Sequence, residues 1–262
     1  MRAEERQKFI LETAKDLGFV SMSEAAKALN VSLETVRRDI NKLAEKGQLK
    51  KARGGASPLK VMVRKDGDYL WRISNFHQEK IAIGAEAAGM IKDNMMVAFT
   101  PGASMEALVS SISNVKNVTF VTNSLKIAEI LLHKIDLDEI QGRVLFIGGF
   151  MDGDCLSTKG TAATDEIDKC HFDIAFIACT ALSEAGASLH DIELSFYSHH
   201  LMQRSTRSVL IAESDKVNKE ANHLISELGD FDRIIIDNKI APSEGIMKAI
   251  ENSNTELVIV KV

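Results

Sequence analysis

The sequence has few cysteines and no long apolar segment, and both absences narrow the class of protein. Three cysteines occur among 262 residues, Cys155, Cys170 and Cys179, and none belongs to a CxxC pair. An odd number of scattered cysteines in a chain of this length is typical of a reducing compartment, so we expect reduced, structural thiols. Apolar runs such as 144–147 and 234–236 are far shorter than the roughly 20 residues of a membrane helix. No membrane partner is expected.

Sequence signals for export, metals and nucleotides are also missing. The first thirty residues mix Glu, Arg and Lys with scattered apolar residues, which does not fit a secretory signal. HExxH and Walker-type motifs are absent, so nothing supports a catalytic metal or nucleotide hydrolysis. His199 and His200 are adjacent and would point about 100° apart on a helix, so we expect no metal site there even with His190 and Asp191 nearby. The sequence therefore predicts a cytoplasmic protein without a cofactor, a metal or catalytic residues.

The composition is that of a soluble globular protein, but its charge is unevenly distributed. Hydrophobic residues make up 45% and charged residues 26%, which excludes disorder, collagen and coiled coil as the main state. The length fits one large domain or two ordinary ones. The net charge is −5, yet residues 1–60 hold 13 Lys and Arg against 8 Asp and Glu, which leaves −10 for residues 61–262. A basic head on an acidic body suggests that the head binds a polyanion; the alternative is a chance fluctuation.

The basic head has the pattern of a winged helix-turn-helix. Apolar residues at helical spacing predict a first helix over 4–17 and a second, short helix over 24–29. Ser32 is a good N-cap for a third helix. The buried face of that helix would hold Leu33, Val36, Ile40 and Leu43. Residues 48–55 are short, basic and closed by glycines, which predicts a hairpin wing.

These elements suit the DNA major groove, which is wide enough for one helix. The third helix would place polar and cationic side chains against base edges, and the wing would place its cations over adjacent phosphates. The predicted DNA contacts are Ser32, Thr35, Arg37, Arg38, Lys42, Lys50, Lys51 and Arg53. The alternative is that Arg37 and Arg38 lie on a solvated helix face. They would then pair with Glu34, Asp39 or Asn41.

The acidic body has the pattern of an α/β domain. Helical segments alternate with short β-branched runs, which predicts a mostly parallel sheet with helices on both faces. The predicted strands cover residues 95–99, 118–121, 144–147, 174–178, 209–212, 233–236 and 257–260. We expect a DNA-binding domain at 1–57, a linker at 58–74 and an effector-binding domain at 75–262.

Small and hydroxyl residues follow the first four of these strands, where a parallel sheet binds its ligands. A glycine lets the backbone approach a ligand, and a helix N-terminus offers free N–H groups, so the first loop could hold an anion such as phosphate. The loop after the fourth strand holds Cys179, Thr180 and Ala181. The predicted effector contacts in the other three loops are Thr100, Gly102, Ala103, Ser104, Thr122, Asn123, Ser124, Gly148 and Gly149.

Two stretches of the head resemble the DeoR family of bacterial transcription regulators. They are VSLETVRRDI at 31–40 and RGGA at 53–56, and the likeness extends over nearly the whole chain. The resemblance implies a body similar in fold to sugar-phosphate isomerases. It also implies a phosphorylated sugar held by an Asp-x-Gly-Thr-Thr loop, a Thr-Asn-Ser segment, a Gly-Gly turn and a helix with Glu-Ala-x-x-Lys.

This chain departs from that family pattern in two places. In the first loop Thr100 replaces the Asp and Ala103 replaces one Thr, while Ser104 keeps a hydroxyl. In the helix Asp191 matches, but Ser198 stands where the lysine is expected. The resemblance adds both of these helix positions to the expected effector site. The two departures imply either a different effector or weaker binding.

Three functions fit the sequence to different degrees. The first is a regulator, expected to be a repressor of sugar or related carbon metabolism, with double-stranded operator DNA and a small, phosphorylated effector as partners. The second is an enzyme of the sugar-phosphate isomerase type, but the predicted ligand-binding loops hold neither a carboxylate pair nor a lysine. The third is an architectural DNA binder, which would not need so large a body. Since helix-turn-helix proteins commonly bind two half-sites, a homodimer or homotetramer is expected.

Overall fold

The computed structural model describes residues 3–17, 20–46, 48–52, 54–58, 77–153 and 155–262. The chain divides into two compact units, Met1–Asn75 and Phe76–Val262. Apart from Pro58, the expected linker at 58–74 lies outside the described residues, and the expected domain limits stay predictions.

The first unit is a small helical domain with a three-stranded sheet. Its elements are α1 (Ala3–Leu17), β1 (Val20–Ser21), α2 (Met22–Leu29), α3 (Leu33–Glu45), β2 (Leu49–Ala52) and β3 (Gly55–Pro58). Strand β3 lies between β1 and β2 and is antiparallel to both. The predicted helices and hairpin are confirmed, but Leu33, expected on the buried face of the third helix, is 55% exposed. Strand β1 was not predicted, because two residues are too few to show a periodicity.

The second unit is an α/β domain. Its elements are, in chain order, α4 (His77–Ala88), β4 (Met96–Phe99), α5 (Ala103–Ser111), β5 (Val118–Thr122), α6 (Leu125–Asp136), β6 (Gly142–Phe146), β7 (Phe150–Asp152), β8 (Ser157–Lys159), α7 (Thr161–Ile167), β9 (Ile174–Ala178), β10 (Ala181–Ser183), β11 (Gly186–Leu189), α8 (Ile192–Gln203), β12 (Ser208–Ala212), β13 (His223–Ser226), β14 (Arg233–Asp237), α9 (Glu244–Glu251) and β15 (Glu256–Val260).

Seven parallel strands form the central sheet in the order β15-β14-β12-β9-β4-β5-β6. All seven were predicted, with ends that differ by one or two residues. Helices α4, α5 and α6 pack on one face, and α7, α8 and α9 pack on the other, each over its own apolar cluster. The mixed α/β fold class with an N-terminal winged helix-turn-helix is therefore confirmed.

The strand order reverses direction between β4 and β9. From β4 the chain adds β5 and β6 towards one edge, whereas β9, β12, β14 and β15 extend towards the other. Such a switch point opens a crevice outside the carboxyl ends of the two central strands, and ligands of open α/β sheets bind there. The fold thus selects the loops after β4 and β9 as the place to look for a site.

Helices α4 and α5 approach each other closely at Gly84. A Cβ atom at this position would lie 2.7 Å from the backbone nitrogen of Leu108 and 2.8 Å from the carbonyl carbon of Ala107. A side chain would therefore separate the two helices. The close approach brings the first turns of both helices to the same edge of the sheet, beside the switch point.

Two small sheets lie outside the central one and were not predicted. Strands β10, β11 and β13 form an antiparallel sheet, and β7 pairs with β8 as a hairpin. Each of these strands has only three or four residues, which is too short for an alternating pattern to stand out.

Candidate functional site

Helix α3 presents the polar face that the sequence predicts for DNA contact. The Oγ atom of Ser32 accepts a hydrogen bond from the backbone N–H of Thr35 at 3.2 Å and so caps the helix. The side chains of Arg37 and Arg38 are 62% and 76% exposed, and they lie 3.5 and 3.6 Å from Glu34. Ion pairs this exposed are weak, so both guanidinium groups are available to a phosphate or a base edge.

The other predicted DNA contacts extend this surface. Lys42 is exposed on α3, and Lys50 and Lys51 are exposed on β2. Arg53 lies outside the described residues. The described cations thus sit on the two elements that a winged helix uses, one for the groove and one for the backbone.

Asp39 does not belong to this surface, although its place in the sequence suggested a surface partner for the arginines. It is only 3% exposed. Its carboxylate accepts hydrogen bonds from Arg6 Nε at 2.8 Å and from Gln7 Nε2 at 3.1 Å. Both donors come from α1, so Asp39 fixes α1 against α3 and leaves the opposite face of α3 for DNA.

We expect Asp39→Ala to destabilise the winged unit, because it removes the buried carboxylate that accepts two hydrogen bonds from α1. The loss should be about 1–3 kcal/mol, as for hydrogen bonds to charged groups. Glu34→Ala is the matched control on the same helix, and its effect should stay within about 0.5 kcal/mol. Hydrogen exchange of the α1 and α3 amides in the full-length chain measures both. Equal losses for the two variants would contradict the role of Asp39.

At the switch point, the loop after β4 is held against β9. The Thr100 hydroxyl donates a hydrogen bond to the Phe176 carbonyl at 3.4 Å and accepts one from the Ala178 N–H at 2.9 Å. Gly102 caps α5 with φ of +151° and provides no side-chain acceptor. A Cβ atom at Gly102 would lie 3.4 Å from Ala178 Cβ. The first turn of α5 therefore starts beside the carboxyl end of β9.

A buried ionic cluster fills this part of the edge. Ser104 donates a hydrogen bond from its hydroxyl to the Glu213 carboxylate, and Lys216 forms an ion pair with the same carboxylate. Lys80 Nζ lies 3.7 Å from Glu213 Oε1. The Glu213 side chain is 1% exposed and that of Lys80 is 8% exposed. Helices α4 and α5 and the segment after β12 thus meet at one carboxylate.

The pKa shifts in this cluster follow from burial and from the paired charges. Burial by itself raises the pKa of Glu213, but Lys216, Ser104 and Lys80 outweigh it and hold the pKa at about 2. Burial lowers the pKa of Lys80, with Glu213 opposing it. For Lys216 burial also lowers the pKa, but Glu213 outweighs burial and the net shift is upwards. Glu213 and Lys216 are therefore ionised at neutral pH.

The Thr-Asn-Ser segment after β5 lies on the same edge beneath strand β8. Thr122 donates its hydroxyl to the Phe99 carbonyl at 3.2 Å, which ties the segment to the end of β4. The side chain of Asn123 donates to the Thr158 carbonyl at 2.7 Å. Its own Oδ1 atom is buried and has no hydrogen-bond partner within the described parts of the chain. Ser124 caps α6.

Strand β8 also contacts the glycine turn after β6. Gly149 has φ of +147°, and a Cβ atom there would lie 2.6 Å from the Lys159 carbonyl oxygen. Gly148 donates its N–H to Glu166 at 3.3 Å. The turn needs glycine because the β7–β8 hairpin passes so close.

The two predicted positions on α8 have structural partners. Asp191 caps the helix and forms an ion pair with Lys159, which also pairs with Asp152. Ser198 is 1% exposed and donates its hydroxyl to the Leu194 carbonyl at 2.7 Å. A buried serine whose hydroxyl is used within its own helix offers little to an effector.

The structure thus brings most of the predicted effector residues to one edge of the sheet. Thr100, Gly102, Ala103 and Ser104 border the switch point, and the residues after β5 and β6 lie next to them, partly beneath β8. The predicted loops themselves hold neither a carboxylate pair nor a lysine, but the same edge receives Glu213 and Lys216 from the segment after β12. Reading the loop after the fifth predicted strand would have found both, but Lys80 gives no such signal because its place depends on the packing of α4.

Metal, thiol and membrane features add no further site. Among the described residues, no group of three His, Cys, Asp or Glu side chains is arranged to hold a metal ion. His199 bonds the Ile225 carbonyl and Gln203, and His200 pairs with Asp168. Burial raises the pKa of the Cys179 thiol to about 12. No helix in the described part of the chain has the length and apolarity needed to cross a membrane.

A winged helix-turn-helix with an exposed cationic face, joined in one chain to an α/β unit with a polar cluster at its switch point, defines a DNA-binding transcription regulator with a sensor domain. Family models agree with this class. The DeoR C terminal sensor domain matches residues 75–238, and the DeoR-like helix-turn-helix domain matches residues 6–60. The chain belongs to the DeoR family.

Some individual proteins are similar to this chain over nearly its whole length. The HTH-type transcriptional repressor GlcR of Bacillus subtilis is 25% identical over 99% of this chain and 97% of its own length. The glycerol-3-phosphate regulon repressor of Haemophilus influenzae is 26% identical over 99% of this chain and 98% of its own length. Among solved structures, ribose 5-phosphate isomerase A of Methanocaldococcus jannaschii aligns with 53% of this chain and 54% of its own, at a TM-score of 0.36 and 15% identity.

Proposed function

We propose that the chain is a repressor of carbon-metabolism genes whose operator affinity is controlled by a small phosphorylated metabolite. Two full-length relatives are named repressors, and one is named for a glycerol-3-phosphate regulon. The observation that carries the proposal is the convergence of Ser104, Lys80 and Lys216 at the switch point. Ammonium groups beside a helix N-terminus suit a phosphate.

The same cluster favours a sensor over an enzyme. Proton transfer needs an acid or base within reach of a substrate. Glu213 is 1% exposed, and Lys216 and Ser104 already neutralise and bond it. These groups are arranged to hold a charge in place, so we propose that the unit binds its ligand without chemical conversion.

A symmetric assembly fits the DNA-binding role. Helix-turn-helix proteins commonly bind two half-sites about 34–36 Å apart, and matching them requires two copies related by a twofold axis. We propose a homodimer or homotetramer that acts in the cytoplasm on double-stranded operator DNA. A ligand that rotates the copies would mis-space the two recognition helices.

We expect the arginines of α3 and the lysines of β2 to differ in their effect on DNA binding. Arg37→Ala or Arg38→Ala should cost about 1–3 kcal/mol on the operator and relax its specificity if the arginine contacts a base. Lys50→Ala and Lys51→Ala should weaken binding to all sequences and reduce the salt slope by about one unit each. Fluorescence anisotropy on operator and scrambled DNA at several salt concentrations measures both. Negligible effects at all four positions would contradict the winged-helix interface.

The regulatory part of the proposal is tested with an operator selected by the protein from random DNA. Operator affinity is then measured with a panel of phosphorylated sugars and polyols and with their unphosphorylated counterparts. We expect one phosphorylated compound to change the affinity by about 5–150-fold, the usual range of allosteric coupling. A response to unphosphorylated compounds alone would contradict the proposed effector class.

A further inference from the structure

We infer that the Glu213 carboxylate is an internal anion that occupies, in the ligand-free protein, the subsite for the phosphate of a phosphate monoester. The inference rests on the proposed function, since it takes this edge of the sheet as the effector site. It assigns a role to a residue outside the loops from which the site was predicted. It also names the chemistry that the effector must bring.

Apart from the Asp215 carboxylate, which interacts with both lysines, the groups around Glu213 are those that bind phosphate. Lys80 and Lys216 are ammonium donors, Ser104 is a hydroxyl donor, and each comes from a different element. The first turn of α5 adds backbone N–H groups, because Gly102 provides no side-chain cap for them. A helix N-terminus with cationic side chains around it is an anion site, and here the anion belongs to the protein.

Burial shows why the site holds its own anion. Two ammonium groups, 8% and 21% exposed, beside the same buried position would repel each other and lose hydration. The Glu213 carboxylate compensates for both, which agrees with its strongly lowered pKa. An incoming phosphate must therefore replace this carboxylate at the lysines, since two anions at one site would repel each other.

This arrangement allows only a ligand that displaces the Glu213 carboxylate to bind the two lysines. A neutral sugar cannot displace the carboxylate, because it offers no charge to the two lysines. A phosphate dianion can, because it presents more charge and more acceptor oxygens than a carboxylate. Glu213 thus acts as a specificity-determining residue that excludes the unphosphorylated form of the effector.

The test is the response of the full-length protein to inorganic phosphate. Removing the internal anion in Glu213→Ala should let an external anion take its place beside Lys80 and Lys216. We expect inorganic phosphate to bind Glu213→Ala with an apparent Kd at least tenfold lower than wild type, read from thermal unfolding at constant ionic strength. Glycerol 3-phosphate is titrated in parallel to separate a phosphate subsite from a site that also needs the organic part.

Two further variants keep the test decisive. Glu213→Gln retains the side-chain volume and removes only the charge, so it should gain the same phosphate response even if the alanine variant folds poorly. Glu129→Ala removes a carboxylate from the exposed pair with Lys126 and should respond like wild type. Phosphate binding that is equal in wild type and both Glu213 variants would overturn the inference.

The result of the phosphate titration can be distinguished from the result of the operator-binding test of the proposed function. Phosphate titration does not involve operator DNA. An operator response to a phosphorylated sugar, combined with equal phosphate binding by wild type and Glu213→Ala, overturns the internal anion and leaves the proposed function intact. A gain of phosphate binding without any operator response supports the anion subsite and contradicts the proposed regulation.

Discussion

Lys216→Met is expected to cause the largest loss of stability in the sensor unit. The substitution leaves the Glu213 carboxylate, which is 1% exposed, with Ser104 and with Lys80 at 3.7 Å as its remaining partners. Breaking a buried pair by removing one partner costs about 3–5 kcal/mol, because the buried carboxylate loses its closest compensating charge. Urea unfolding of the full-length protein, followed by far-UV circular dichroism, measures the loss. Lys126→Met in the exposed pair with Glu129 is the control and should leave the transition unchanged.

A second substitution shows whether the loss comes from the buried charge. Glu213→Gln in the Lys216→Met background removes the buried carboxylate that has lost its closest partner, so the double variant should be more stable than Lys216→Met alone. Without Lys216 the pKa of Glu213 should rise above its unfolded value. The cost is then present at neutral pH and falls as the pH drops through that raised pKa. Losses that simply add, or a pH-independent deficit, would contradict this explanation.

Much of the fold can be predicted because each feature has a local cause. The parallel strands are short β-branched runs between helical segments, and their burial on both faces makes them continuous apolar stretches. Ser32 is predicted as an N-cap because a hydroxyl before an amphipathic run satisfies a free N–H group. The strands of the small sheets show no local pattern in the sequence. Strands β7 and β8, for example, form where the chain packs over the end of β5.

The functional site is predictable only in part for the same reason. Thr100, Gly102 and Ser104 follow a strand directly, so their place at the carboxyl edge follows from the sheet. The partners of Ser104 come from distant parts of the chain, and Lys80 reaches the site only because α4 packs closely on α5 at Gly84. Asp39 shows the same limit in the winged unit. Its position next to two arginines suggests a surface pair, whereas the fold turns it towards α1.

Gly102→Leu is expected to abolish the response to the effector completely. With φ of +151° the residue has a backbone conformation that side chains rarely adopt, and a Cβ atom would already lie 3.4 Å from Ala178 Cβ. The rest of a leucine would then cover the first turn of α5 and exclude an anion from its N–H groups. The loop lies in the sensor unit, so operator affinity without effector should stay within about twofold of wild type, since no DNA contact is altered.

The measurement is operator affinity of Gly102→Leu with and without the phosphorylated compound that acts on wild type. Gly89→Leu is the control, since Gly89 is exposed just after α4 and far from the carboxyl ends of the strands, and it should respond normally. Gly102→Ala adds only the Cβ atom, so it should weaken the response without removing it. If Gly102→Leu also loses operator binding in the absence of effector, the alanine variant decides between misfolding and a blocked site. A normal response of both Gly102 variants would mean that the effector binds elsewhere, because no ligand could reach the start of α5 past a leucine.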